Sequence, residues 1–168
     1  MNNQNIKRMS LTGIFTALVF VITAYLHIPT YNGYIHVGDG FIYLAACLLP
    51  TPYAMFVGGA GALLADCLTG YAIWAPGSVI MKAVAVLLFT SKGNKIVNLR
   101  NTLALVPATL LCAGGYYLYE ALAFNGFIAA LEGIPGSLTQ SVASGILFVV
   151  AGLAMDQLRL KQKLYGGK

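Results

Sequence analysis

The chain has 168 residues, of which 58% are hydrophobic and only 9% charged, and its mean hydropathy is +0.77. Soluble domains carry about 25% charged residues, so a soluble surface is excluded and the composition is that of an integral membrane protein in a lipid bilayer. The net charge of +5 does not indicate nucleic acid, because no basic face alternates with aromatics and the cations sit at the ends of apolar runs.

At about 20 residues per span, six helices use nearly the whole chain. Residues 1–168 are expected to form a single all-α transmembrane domain, with no room for a soluble catalytic or ATP-binding domain. The first helix runs from about Ser10 to Leu26. It follows the basic pair Lys7–Arg8 but is long and lacks a cleavage site, so it reads as a retained span rather than a signal peptide. Pro29, Asn32 and Gly33 mark a loop. The second helix, about Val37 to Leu49, is short and stops at Pro50-Thr51-Pro52. The third covers about Tyr53 to Leu68. Gly70 to Pro76 is a turn, and the fourth helix follows to about Phe89. Ser91 to Asn101 is the clearly hydrophilic connection. The fifth helix, about Thr102 to Phe124, contains Pro107, which bends its first turns. Asn125 to Gly136 is a loop, either plain or carrying a short surface helix, and the sixth helix runs from about Ser137 to Leu158. The sequence shows no internal repeat.

Positive charge orients this arrangement. With six spans, both termini, the Pro50–Pro52 turn and the 91–101 loop share one side. That side holds Lys7, Arg8, Lys92, Lys95, Arg100, Arg159, Lys161, Lys163 and Lys168. The opposite loops hold no lysine or arginine, so both termini are expected in the cytoplasm of a bacterial cell, with the chain multi-pass in its membrane. Lys82 belongs to neither side. Asp39, Asp66, Glu120 and Glu132 fall toward the outer side, and Asp156 alone lies near the inner end of its helix.

A rise of 1.5 Å per residue places Asp66 and Glu120 roughly 6 Å, and Lys82 roughly 9 Å, below the outer turns. Gln140 and Ser141 enter the last helix at a similar level, and Asp39 lies in the first turn of the second. Ionisable groups inside a membrane face the bundle interior, pair with one another and mark substrate paths. Asp66 and Lys82 flank one short turn and are expected to approach each other. They form either a strut between two helices or a pair that also serves a ligand. Tyr31, Tyr34, Tyr43, Tyr71, Trp74, Tyr116, Tyr117 and Tyr119 gather at the same mouth, as an interfacial belt or as the walls of a pocket for a small, flat, polar ring. His27 and His36 flank the first outer loop and read as hydrogen-bonding histidines rather than metal ligands, since no third ligand has suitable spacing. No cofactor or metal is implied. Cys47, Cys67 and Cys112 lack CxxC spacing and read as small buried hydrophobes. Gly13 and Ala17, four apart on the first helix, form a small-residue face, for internal packing or for a partner. The run from Gly58 to Asp66 thins the third helix for packing inside the bundle, and no GK[ST] follows to make it a phosphate loop.

Six short spans, cytoplasmic termini, the small-residue face, "VGDGFIYLAACLLP" and "GGAGALLADCLTGYAIWAPGSVIMK" resemble the substrate-binding S components of energy-coupling factor (ECF) transporters. The resemblance covers nearly all the chain by topology and about Val37 to Lys82 by motif. It implies a non-enzymatic subunit that binds a vitamin or vitamin precursor from outside, associates with a transmembrane coupling subunit and two cytosolic ATPases, and topples to deliver the ligand inward. It also implies that Gly13 and Ala17, where the family has an Ala-xxx-Ala face, meet the coupling subunit; Gly13 departs from alanine. The stretch from Asp66 to Lys82 most resembles the branch containing riboflavin, hydroxymethylpyrimidine and pyridoxine S components, with a small pyridine or pyrimidine vitamer favoured and riboflavin the alternative. Asp39, Asp66, Trp74, Lys82, Tyr116, Glu120, Gln140 and His36 are the candidate substrate-binding residues.

Two readings from other classes compete. One is a small membrane enzyme using Asp66, Glu120 and Lys82 for acid–base work, against which the acids lie on the outer side. The other is a channel or autonomous carrier, for which inverted repeats are the usual mark.

Overall fold

The computed structural model describes residues 3–30 and 33–166. Tyr31, Asn32 and Lys168 lie outside the described residues. The chain forms α1 (Asn3–Tyr25), a hairpin of β1 (His27–Thr30) and β2 (Gly33–His36), α2 (Asp39–Leu48), α3 (Thr51–Leu68), a 3-10 turn (Ala72–Trp74) and α4 (Ala75–Val86). Next come α5 (Leu99–Leu103), α6 (Leu105–Glu120), a π-helical turn (Ala121–Asn125), α7 (Gly126–Ala129) and a 3-10 turn (Ala130–Gly133). α8 (Ile134–Gln157) and α9 (Leu160–Tyr165) close the fold.

Four of these stretches are long and apolar enough to cross a membrane: Asn3–Tyr25, Thr51–Leu68, Leu99–Phe124 and Gly126–Gln157. The two other expected spans, Asp39–Leu48 and Ala72–Val86, are apolar but short. Ten residues of helix reach only about 15 Å, half of a hydrocarbon core of about 30 Å. α2 nevertheless sits at the centre. Nine of its ten residues are buried, against α1, α3, α4 and α8, and a helix apolar all round belongs inside a bundle. α1 packs on α3, α3 on α4, α4 on α6, and α6 on α8. Val19, Ile42, Leu44, Leu49, Val57, Ile96 and Phe148 are the heart of the core.

Local chemistry sets the boundaries. Pro52, Pro76 and Pro135 each occupy the first turn of a helix, where the missing N–H costs nothing. α3 ends on Gly70 at φ +88°, with Tyr71 N–H bonded to the Asp66 carbonyl at 2.9 Å, a left-handed glycine cap. The bend expected from Pro107 is a break at Ala104 between α5 and α6, as the ring denies the Leu103 carbonyl its partner. The first outer connection, expected as a loop, is instead a hairpin pairing His27 with His36 and Thr30 with Gly33.

The run from Gly58 to Asp66 packs inside the bundle as expected. A Cβ on Gly61 would stand 2.6 Å from Val19 Cγ1 of α1, and one on Gly58 would stand 3.1 Å from the Lys82 carbonyl of α4. Gly13 and Ala17 are exposed, and a Cβ on Gly13 would meet nothing within 4 Å. At the end opposite the hairpin, Asp156 accepts hydrogen bonds from the backbone N–H groups of Ile96 (2.8 Å) and Val97 (2.9 Å). Asn101 bonds the Thr90 N–H and the carbonyls of Thr90 and Ile96. These two side chains hold the 91–98 connection against the bundle.

Candidate functional site

At the hairpin end the bundle opens into a cavity continuous with solvent. β2 contributes Tyr34 and His36; α3 contributes Asp66; the 3-10 turn and α4 contribute Trp74 and Ser78; α6 contributes Tyr116, Tyr117 and Glu120; α8 contributes Ser137 and Gln140. Thr30, Gly33, Ile35, Gly133 and Gly136 complete the wall. A Cβ at Gly133 would stand 2.8 Å from Glu120 Oε2, so glycine there lets the backbone lie against the carboxyl.

Trp74 packs against Tyr116 and Tyr119, ring centroids 6.0 Å apart in each case, and edge-on to Phe124 at 5.0 Å. Tyr119 donates to the Ile73 carbonyl at 2.7 Å and so fastens the turn that carries Trp74. Tyr34 lies between His27, His36 and Tyr71 and donates its hydroxyl to Asp66 Oδ1. Burial, reinforced by the Asp66 charge, pushes the Tyr34 hydroxyl far above its usual range, so it stays a donor. Ser78 and Tyr116 share a hydrogen bond of 2.9 Å.

His36 is buried, and burial pulls its imidazole down to about 4. Its Nδ1 accepts the Gly38 N–H at 3.1 Å, which fixes a neutral ring protonated on Nε2. The His36 backbone N–H donates to Gln140 Oε1 at 3.4 Å. His27 donates from Nδ1 to the Thr23 carbonyl at 3.1 Å. Both histidines therefore make the hydrogen bonds expected of them.

Deeper in the bundle, Lys82 Nζ lies 2.7 Å from Asp39 Oδ2, with side-chain exposures of 5% and 2%. Gln140 Nε2 donates to the same oxygen at 3.0 Å. The ammonium also stands 5.0 Å from the centroid of the Tyr116 ring, a cation–π contact. This corrects the expected Asp66–Lys82 pair: lysine bonds Asp39, and Asp66 bonds Tyr34. Asp39 and Lys82 line a small separate pocket with Tyr43, Met81 and Cys112 rather than the outer cavity. Tyr43 is likewise not at the mouth. It is buried and stacks on Phe89 at 4.6 Å.

The arrangement is a cleft with aromatic walls and several hydrogen-bonding side chains, at the end of a bundle of apolar helices. Residues 3–157 match the family of ECF-type riboflavin transporter S components. The chain belongs to that family. It is thus a substrate-binding subunit of a multi-subunit vitamin transporter, not an enzyme. No curated protein matches the chain.

Six of the eight substrate-binding candidates of this S component therefore line one cavity: His36, Asp66, Trp74, Tyr116, Glu120 and Gln140. Asp39 and Lys82 reach it only through Gln140 and Tyr116. Ser141 donates to the Ser137 carbonyl instead. Two features escaped the sequence reading. Ser78 stands four residues before Lys82, on the same face of α4, a spacing that could have flagged it. The Tyr34–Asp66 bond joins residues 32 apart, and no local pattern announces it. Of the three cysteines, Cys47 and Cys112 are buried as expected, whereas Cys67 is exposed on α3.

Proposed function

We propose that this S component captures a small aromatic-ring vitamin or vitamin precursor, pyridoxine or hydroxymethylpyrimidine in preference to riboflavin, in the cavity beneath the hairpin. His36, Asp66, Trp74, Tyr116, Glu120 and Gln140 contact it, and the Asp39–Lys82 pair supports them from below. The observation that carries this reading is the cavity itself, in which Tyr34, Trp74, Tyr116 and Tyr117 offer ring faces around a handful of hydrogen-bonding groups. Riboflavin is the second reading, favoured by the description of the matching family. The hairpin end faces outward and the end bearing the lysines and arginines faces the cytoplasm of a bacterial cell. A transmembrane coupling subunit docks on the exposed Gly13–Ala17 face of α1, and two cytosolic ATPases supply the energy.

The test uses the full chain in liposomes. Alone it should bind ligand but accumulate none; concentrative uptake without ATPase partners refutes the reading. Gly13→Leu and Ala17→Leu should abolish transport by the assembled transporter and leave ligand binding intact. Loss of binding and folding in both variants would refute the docking face.

A further inference from the structure

The Asp66 carboxyl lines the cavity at 3% exposure. Among the described residues no lysine or arginine lines it. Lys82, the nearest cation in the helix that carries Ser78, is committed to Asp39 at 2.7 Å. The lining histidine, His36, is held neutral by burial and accepts the Gly38 N–H on Nδ1.

Asp66 is also incompletely bonded. Oδ1 receives the Tyr34 hydroxyl. Oδ2 is buried and has no hydrogen-bond partner. The Ser78 hydroxyl stands beside this carboxyl and shares a hydrogen bond with Tyr116 in which either oxygen can donate, so it is the one neighbour able to turn a proton toward Asp66. Buried acceptors without a donor are rare and costly. This one belongs to a side chain that lines a cavity walled by tyrosine and tryptophan faces, which attract cations.

We infer that the ligand donates to Asp66 Oδ2 from an amino group carried by an aromatic nitrogen heterocycle, and that Asp66 is the residue that sets specificity. This rests on the cavity being the vitamin site and narrows its substrate class to amino-bearing rings. Anionic forms such as phosphate esters are excluded, because no lining cation receives them.

The experiment measures binding by fluorescence of Trp74, the single tryptophan of the chain, which lines the cavity, in purified full-length protein. The probes are matched pairs: 4-amino-5-hydroxymethyl-2-methylpyrimidine against its 4-oxo analogue, and pyridoxamine against pyridoxine, with riboflavin alongside. In whichever ring series binds, the amino member should bind at least tenfold more tightly in the native chain. Asp66→Asn should reduce that preference to threefold or less. Equal affinities within the pairs, or tight riboflavin binding insensitive to Asp66→Asn, overturn this inference and leave the vitamin-binding reading standing. No response to any probe from protein with a normal melting transition overturns both. The comparison within the native chain decides the matter even where Asp66→Asn fails to fold.

Discussion

Lys82 and Asp39 offer the sharpest energetic test. At 2.7 Å their attraction is about 6 kcal/mol at an effective dielectric of about 20, offset by the cost of taking both ions out of water. Gln140 Nε2 shares Asp39 Oδ2 at 3.0 Å, while Oδ1 has no partner. Lys82→Met therefore leaves a carboxyl with one neutral donor, and the loss should fall within the about 3–5 kcal/mol seen when one partner of a buried pair is removed. Asp39→Asn leaves the ammonium only an amide and the Tyr116 face at 5.0 Å, with a loss in the same range. The double variant buries no charge there and should recover most of the stability, since the penalty of an unpaired buried ion is gone. A double-mutant cycle from equilibrium unfolding in mixed micelles should thus give a coupling of at least about 3 kcal/mol, the low end of that single-partner loss. Because neither residue lines the outer cavity, calorimetry on the double variant should find ligand affinity within tenfold of native, about 1.4 kcal/mol. A double variant no more stable than the worse single refutes the pairing. One that folds normally but binds a hundredfold more weakly refutes the separation of pair from ligand.

Three further outcomes follow from the same geometry. Asp156→Ala removes the acceptor of two backbone N–H groups and should cost about 2–3 kcal/mol; trypsin should then cut after Lys92 and Lys95 well before it cuts the native chain, and equal cleavage rates would refute the clamp. His36, held down at about 4 by burial against an unfolded value of about 6.5, is protonated first in the unfolded chain as pH falls. Its contribution is complete above about pH 6.5 and drains away toward pH 4, a loss of about 3 kcal/mol, so melting temperatures should fall less steeply with acid in His36→Gln than in the native chain. Gly61→Ala forces a Cβ to 2.6 Å from Val19 Cγ1 and should cost about 1–3 kcal/mol, whereas Gly13→Ala, with nothing within 4 Å, should leave thermal stability unchanged or slightly raised; the reverse order would place the wrong glycines in the bundle.

The apolar runs and their breakers made most helices legible, because proline in a first turn and glycine past a last one act locally. Asn98, too, caps α5 by accepting the Asn101 N–H at 3.0 Å. What the runs hid were features governed by distant partners. "HIPTYNGYIH" carries the Asn-Gly signal of a tight hairpin, yet its strands are four residues each and too short to announce themselves by alternation. The apolar run of α2 did not announce that this helix is the one buried by its neighbours, because hydropathy reports burial without distinguishing lipid from protein as the burying medium. α9 was invisible for another reason: it is a short, half-buried helix with polar residues among its apolar ones, turned by Arg159 at φ +51°.

The site was legible as a layer and illegible as a wiring diagram, and one helical turn explains the difference. Counting rise along each helix placed Asp39, Asp66, Lys82, Glu120 and Gln140 near one depth, and all of them are buried. Depth says nothing about rotation around the axis, nor about a shift of one turn, about 5.4 Å. The cap at Gly70 fixes Asp66 one turn from the end of α3, where the hairpin's Tyr34 reaches it. On α4 it is Ser78, not Lys82, that stands beside that carboxyl; Lys82 lies four residues, roughly one turn, farther along. The hairpin takes up the chain from His27 to His36, so α2 begins with Asp39 already buried and within reach of that deeper lysine. The outcome assigns the lysine to the acid of α2 and leaves the acid of α3 facing the cavity with an oxygen unbonded. A bundle whose lysine bonded Asp66 would have neutralised its own cavity wall. This one keeps the neutralised pair in its floor and presents acceptors to whatever enters.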